Sequence, residues 1–243
     1  MSTSLAAQTV AELGGPHSVL VRQKRDHIEL DLLLQRIDES GGDLRRDYLN
    51  ALCRLVFPHA FAEESVLWPA IRRWVPEGEP LTLEIEREHQ EINELFTELE
   101  KRPPGDAEHG QLWERIKVLL REDVRDEEDR LLPMLQAAVD RHTLIRLGWA
   151  WEAVRRTAPT RPHPVVARRP PGNVAAAAPL TVLDRGRDQL DRAARRSTGR
   201  QRIVLQSASA ALARVAGAVE YLPPLTRGED PSTRSGRTGS GQG

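Results

Sequence analysis

Six ionisable residues stand where the surrounding pattern asks for apolar ones: His27, His59, Glu63, His89, Asp123 and Glu127. Each falls on a stripe otherwise built from Leu, Ile, Val and Phe. Burying an ionisable group without a partner costs several kcal/mol, so a stripe tolerates one only when something compensates it. A single histidine on such a stripe is ordinarily a hydrogen-bonded core residue. Here every one of four successive segments carries an offender, and two segments carry a pair four residues apart, His59 with Glu63 and Asp123 with Glu127. Residues four apart lie one above the other on a helix face, so each pair can grip one ion between two donors. Three imidazoles and three carboxylates converging inside a bundle describe a nitrogen and oxygen site for one or two divalent cations.

An internal repeat sharpens the pattern. His59-Ala-Phe-Ala-Glu63-Glu64-Ser-Val-Leu67-Trp68-Pro69 aligns with Asp123-Val-Arg-Asp-Glu127-Glu128-Asp-Arg-Leu131-Leu132-Pro133, at a constant offset of 64 residues. Upstream, His27 and His89 are 62 apart. The chain therefore reads as two α-hairpins, each with one histidine followed by a ligand-x-x-x-Glu pair. Such twofold pseudo-symmetry is the geometry of a centre holding two metals.

The elements that must position these residues follow from periodicity and breakers. Leu20, His27, Leu30, Leu34 and Ile37 share one helical face between Gly14-Gly15-Pro16 and Gly41-Gly42-Asp43. Leu44, Tyr48, Leu52, Leu55, His59, Glu63, Val66 and Ala70 form a second stripe ending at Pro76-Glu77-Gly78. Ile85, His89, Ile92, Phe96 and Leu99 form a third, stopped by Pro103-Pro104-Gly105, and Leu112, Ile116, Leu119, Asp123, Glu127, Leu131 and Met134 a fourth. Short links suit bundle neighbours, so the expectation is an all-α, antiparallel up-down four-helix bundle with a C-terminal helical, partly disordered extension. The expected division is an N-terminal lead over 1–15, the bundle over 16–156, a Pro/Ala/Arg-rich extended linker over 157–179, amphipathic helices over 180–225 and a disordered tail over 226–243. Within the bundle segment Leu144, Leu147, Trp151 and Val154 suggest a short capping helix. In the extension Leu205, Ala208, Leu212, Val215, Val219 and Leu222 form the last stripe.

These residues resemble the hemerythrin-like, HHE cation-binding domain family, whose pattern is a single His and then His-x-x-x-Glu, twice over. The resemblance covers roughly residues 16–140 and includes the Glu-Glu-x-x-Leu-x-Pro tails. It implies iron, two per chain, with His27, His59, Glu63, His89 and Glu127 as ligands and Glu63 and Glu127 as bridging carboxylates. Asp123 departs from the pattern by occupying the slot of the fourth His, and Asn93 stands where oxygen carriers of the family would have a further one. A carboxylate is a harder donor than imidazole, so Asp123 favours Fe(III) or manganese over Fe(II). That suits reaction with, or sensing of, a small oxidant (O2, H2O2 or NO) better than reversible oxygen carriage. A lopsided site in which Asp123 binds nothing is the other arrangement.

The remaining polar residues read as ordinary. His17 is a capping or surface residue, while His109, His142 and His163 are expected in solvent. Glu64 and Glu128 make contacts behind the ligands or at the surface, and the five tryptophans pack near helix ends. One cysteine, Cys53, excludes an internal disulfide and a cysteine metal cage. No hydrolase or transferase motif is present, though peroxide- or NO-directed activity is compatible with the donor set. With no charged and apolar leader at Met1, a cytoplasmic setting is expected.

Charge divides the chain: residues 1–154 carry 19 Lys and Arg against 30 Asp and Glu, and residues 155–243 carry 16 against 6. The basic rear can fold back on the acidic front or meet an anionic membrane surface; no specific nucleic-acid readout is expected, and Ile203–Leu222 is too polar to span a bilayer. The alternative to a metal protein is a metal-free helical module that presents this basic tail to a partner.

Overall fold

The computed structural model describes residues 3–103 and 105–235. Among the described residues the structure is helical and has no strand. Helix α1 spans Val19–Glu39, capped by Ser18, whose hydroxyl accepts the Leu20 N–H. Helix α2 (Gly42–Ala62) runs through a π-helical turn, Glu63–Leu67, into α3 (Trp68–Trp74). Helix α4 covers Gly78–Lys101. Helix α5 (Ala107–Asp126) passes through a second π-helical turn, Glu127–Leu131, into α6 (Leu132–Ala138). The four expected segments are thus present, two of them interrupted at matching points of the repeat.

Apolar residues gather in two layers with a polar layer between them. One core holds Leu20, Trp68, Ile71, Ile85, Leu131 and Leu135, and the other holds Leu34, Leu52, Phe57, Phe96, Trp113 and Ile116. Along α1 the chain passes from the first core to the second, along α2 it returns, and α4 and α5 repeat the alternation. The crossing point on each helix is a candidate ligand: His27, His59 and Glu63, His89, Asp123 and Glu127. Apolar burial of ~1.5–3 kcal/mol per large side chain therefore clamps the polar layer from both sides.

Helix α7 (Arg141–Thr157), capped by Asp140, packs on α1 and α2 through the buried Leu144 and Trp151. Its approach is close because of Gly148, whose missing Cβ would lie 2.1 Å from the His17 carbonyl oxygen. Arg22 on α1 meets Glu152 of α7 at 3.0 Å, both side chains being buried.

Beyond α7 the structure departs from composition. The expected extended linker over 157–179 is not formed: from Gly172 the chain is helical, and before it Ala158, Thr160, Arg161, His163, Val166, Ala167 and Arg168 are buried. Buried polar groups hold them: Asp184 accepts hydrogen bonds from the Thr160 and Arg161 backbone N–H groups, and Arg161 forms ion pairs with Asp188 and Asp191. Helix α8 (Gly172–Arg195) and α9 (Gly199–Val219) pack together and enclose a small core of Val166, Ala176, Leu180, Ala216 and Leu225. On α9 the face turned inward carries Ser209 and Ala216, whereas Val215 and Leu222, expected on the inner stripe, are 48% and 49% exposed. Residues 226–235, expected to be disordered, are ordered here, with Thr233 buried and Glu229 accepting the Arg168 N–H. The rest of the expected disordered tail, 236–243, lies outside the described residues, as do residues 1–2 of the N-terminal lead and Pro104 of the third breaker. No helix among the described residues is long and apolar enough to cross a membrane.

Candidate metal centre

The six residues singled out above converge in the polar layer. His27 comes from the middle of α1, His59 from the last turn of α2, His89 from α4 and Asp123 from the last turn of α5, while Glu63 and Glu127 open the two π-helical turns. His59, at the edge of the layer, is partly exposed, and the others are buried. The π turns have a local cause. Pro69 and Pro133 lack the N–H that a regular helix would donate four residues back. The ladder widens instead, so that the Trp68 N–H reaches the Glu63 carbonyl and the Leu132 N–H reaches that of Glu127. A widened turn re-aims the side chains that follow it, which is why such turns gather at functional sites.

Within the layer His59 Nε2 stands 2.9 Å from Glu63 Oε1, and His27 Nε2 stands 3.2 Å from Glu127 Oε2. His89 Nε2 faces Asp123 Oδ1 at 3.5 Å and Glu63 Oε2 at 3.7 Å. The donors form two overlapping groups, His27–His59–Glu63–Glu127 and His89–Asp123–Glu127, with the donor atoms of each group within 4.8 Å of one another. Glu127 belongs to both. Neighbouring donors roughly 3 Å apart suit a cation whose bonds to nitrogen and oxygen are ~2.0–2.2 Å.

The outer nitrogens of the three rings are also engaged. Nδ1 of His27 lies 2.8 Å from Glu128, Nδ1 of His89 lies 3.0 Å from Glu64, and Nδ1 of His59 lies 3.4 Å from Asp26. A carboxylate behind an imidazole holds the proton on Nδ1 and turns the Nε2 lone pair inward, toward a metal. Trp68 stacks on His89, and Trp151 meets His59 edge-on, closing the layer above two of the rings.

Electrostatics favour positive charge at the centre. Burial opposes protonation of His27, yet the neighbouring carboxylates of Glu127 and Glu128 outweigh it and hold the ring up at about 9. His59 is raised against burial to about 10 by Glu63 and Asp26, and His89 well above its ordinary value by Asp123 and Glu64. Burial, with the charges of Glu63 and Asp123, pushes Glu127 up to about 8, whereas His59 draws Glu63 below the usual carboxylate range despite burial. Even so, His27 Nε2, Asp123 Oδ1 and both carboxylate oxygens of Glu63 and Glu127 are buried without a hydrogen-bond partner. Orphaned buried donors and acceptors gathered in two overlapping groups fit bound cations, and the mixed imidazole and carboxylate set fits iron, manganese or zinc.

Three placements differ from what the sequence suggests. His163, expected in solvent, is buried between Asp184 and Glu220. His109 lies in the first turn of α5 and is buried as well. Asp26 escaped notice altogether; its only signal was an acid beside a core histidine. Glu64 and Glu128 do contact the rings of candidate ligands. Asn93 has both ends of its amide in use, donating to the His89 carbonyl and accepting the His163 N–H, so it ties the tail to α4.

The chain is 25% identical over 114 residues to a DNA nickase of Nostoc sp., a match covering 46% of this chain and 32% of that protein. The chain thus spans about a third of that relative's length. No solved structure matches. The family model described as the hemerythrin HHE cation binding domain matches residues 19–135, the stretch that contains all six converging residues, and the chain therefore carries a domain of the hemerythrin HHE cation-binding family.

Proposed function

We propose that this chain is a non-haem di-iron protein that reacts with or senses a small oxidant, O2, H2O2 or NO. In this reading the bundle is an antiparallel up-down four-helix bundle, which the alternation of the two apolar cores along α1, α2, α4 and α5 supports. His27, His59 and Glu63 would hold one cation and His89 and Asp123 the other, with Glu127 near both. The observation that carries the reading is the presence of six buried, partnerless donor atoms within two overlapping clusters of donors. Each such group costs ~1–3 kcal/mol when left unpaired, against a total stability of ~5–15 kcal/mol. A protein keeps that arrangement when a ligand repays it, and a metal is the ligand these donors suit.

Bound iron would supply one-electron chemistry toward the oxidant. The protein's own contribution is shape and exclusion. A cavity of about 20 Å³ adjoins the donors, walled by Leu30, Leu55, Val56, Ile92 and Leu120 beside His27, His59 and His89. A water needs ~10–15 Å³ by the same measure, so the space is the size of about one or two waters, on the scale of the small oxidants. Its apolar walls suit a neutral ligand. The single cysteine, buried, is consistent with a reduced, cytoplasmic setting. The nickase activity named for the Nostoc relative belongs to a protein of which this chain matches about a third.

Anaerobic reconstitution with Fe(II), followed by desalting and metal analysis, tests the reading. About two irons per chain, with an optical change on adding peroxide or NO, is expected. Protein that retains no metal would leave the helical interaction module as the function.

A further inference from the structure

A space larger than the one at the metal centre lies elsewhere in the molecule. A cleft of about 450 Å³ opens between the α2 and α4 ends of the bundle and the α8–α9 hairpin. Spaces of ~300–1,000 Å³ are the size that encloses a small organic molecule. Seven arginines and two carboxylates line this one, together with the apolar side chains of Leu49, Cys53, Phe96 and Leu99. The charge excess comes from both sides, since the arginine-rich rear of the chain supplies Arg187, Arg195 and Arg202 while α2 supplies Arg45 and Arg46.

Most of these arginines are already engaged. Arg46 pairs with Asp43, Arg102 with Glu108, and Arg195 with Asp47, at 3.1, 2.6 and 3.0 Å. Arg45 donates to the Ile37 carbonyl. Two are not. Arg187 reaches Glu100 only at 3.6 Å, and its Nε is buried with no hydrogen-bond partner. Arg202 lines the cleft and has no carboxylate within ion-pair distance among the described residues. Beside them Arg161, whose side chain is only 7% exposed, also keeps an unpartnered Nε. A buried guanidinium nitrogen without an acceptor costs free energy unless an anion completes it, and the planar fork is suited to carboxylate or phosphate.

We propose that this cleft binds an amphiphilic organic anion, its carboxylate or phosphate head on Arg187 and Arg202 and its apolar body against Leu49, Cys53, Phe96 and Leu99. The head alone would leave the apolar wall uncovered, and an uncharged chain would leave the guanidinium groups uncompensated. Both halves of the ligand are therefore required. Burial holds the Cys53 thiol up at about 12, so it faces the cleft as an uncharged, apolar surface. The site is separate from the metal centre and does not depend on the reading given for it.

Calorimetric titration of the full-length protein with sodium decanoate tests the proposal, with decyl phosphate as a second arm to tell the two heads apart. One amphiphile per chain is expected. Decan-1-ol and inorganic phosphate, each offering one half of the ligand, should bind at least about tenfold more weakly. The double variant Arg187→Gln/Arg202→Gln should lose about tenfold or more in affinity, and Leu49→Glu should do the same from the apolar side. Circular dichroism and metal content, read on the same samples, should not change. Variants with unaltered decanoate affinity, or decan-1-ol, inorganic phosphate or AMP binding as tightly as decanoate, would overturn the proposal.

Discussion

Nδ1 of His27 lies 2.8 Å from Oε1 of Glu128, a residue 101 positions later in the chain. The relationship is repeated with the halves exchanged, since Glu64 meets His89 in the same way at 3.0 Å. Each Glu-Glu pair thus aims its first carboxylate at the centre of the polar layer and its second at the lone histidine of the other repeat. The two hairpins are braced against each other through the very groups that would orient a metal.

That bracing predicts a graded loss. Glu128→Gln and Glu64→Gln keep the shape but remove the charge that fixes Nδ1–H, so metal affinity should fall by about 10–100-fold for each. Chelator competition on the purified variants measures this. Wild-type retention in both would mean that the carboxylates merely fill space.

Removing the metal should cost stability. Six donor atoms are buried without partners in the layer, and orphaned groups at ~1–3 kcal/mol each are a large fraction of a typical domain's total. Chelated protein should therefore melt well below loaded protein, and readdition of iron should restore the midpoint. An unchanged midpoint after verified metal removal would put the donors outside the structural centre.

Much of the bundle was legible before the structure. Helix limits followed from breakers such as Gly41-Gly42 and Pro76-Glu77-Gly78, and the converging donors followed from polar residues on apolar stripes, because burial makes those positions conspicuous. The π turns were not legible, although Pro69 and Pro133 at matched positions were their trace. Asp26 was missed because an acid beside a helix's core face looks like any surface acid. The segment 157–171 was misjudged for a different reason. Composition measures how readily a stretch stays solvated, yet Arg161 and His163 are buried by partners, Asp184, Asp188 and Glu220, that lie more than twenty residues away. Long-range ion pairs leave no local pattern.

Two glycines separate a steric from an entropic role. A Cβ on Gly148 would lie 2.1 Å from the His17 carbonyl oxygen and 2.9 Å from the Val19 nitrogen, whereas one on Gly217 meets nothing within 4 Å. Gly148→Ala must push α7 off α1 and should destabilise the protein by ~1–3 kcal/mol. Gly217→Ala, in the last turn of α9, should stabilise it by about 0.4–1 kcal/mol by restricting the unfolded chain. Thermal melts of the two variants should move in opposite directions.

The buried His163 carries a pH dependence whose sign can be worked out. Burial alone would lower its pKa, but hydrogen bonds to Asp184 and Glu220 raise it to about 9, while the Arg168 guanidinium donates to its carbonyl oxygen. A group raised on folding contributes stability in full below its unfolded value of ~6.5 and loses it as pH climbs through the folded value. His163→Gln should therefore lower the melting midpoint of metal-loaded protein most at pH 6 and least above pH 9. A difference that is constant across that range would assign His163 a purely steric role.

The last test concerns Asp123, where the chain departs from the family pattern. Its Oδ1 is buried, lacks a hydrogen-bond partner and lies 3.5 Å from His89 Nε2, while the nearby Arg121 is turned away onto Asp31 at 3.1 Å. A surface ion pair with that arginine, the ordinary role for such an aspartate, is therefore not made. If Asp123 is a ligand, Asp123→Ala deletes both a donor and a charge from the smaller donor group, which holds just His89, Asp123 and Glu127. That variant should lose about one metal per chain. Asp123→His restores a donor at the same helical position, so it should keep both metals. It should also raise the reduction potential, because a neutral imidazole stabilises Fe(III) less than an anionic carboxylate does. Iron titration of the three proteins, followed by potentiometry, reads both effects. Three superimposable curves would remove Asp123 from the centre and leave five donors, with His89 and Glu127 alone on the second side.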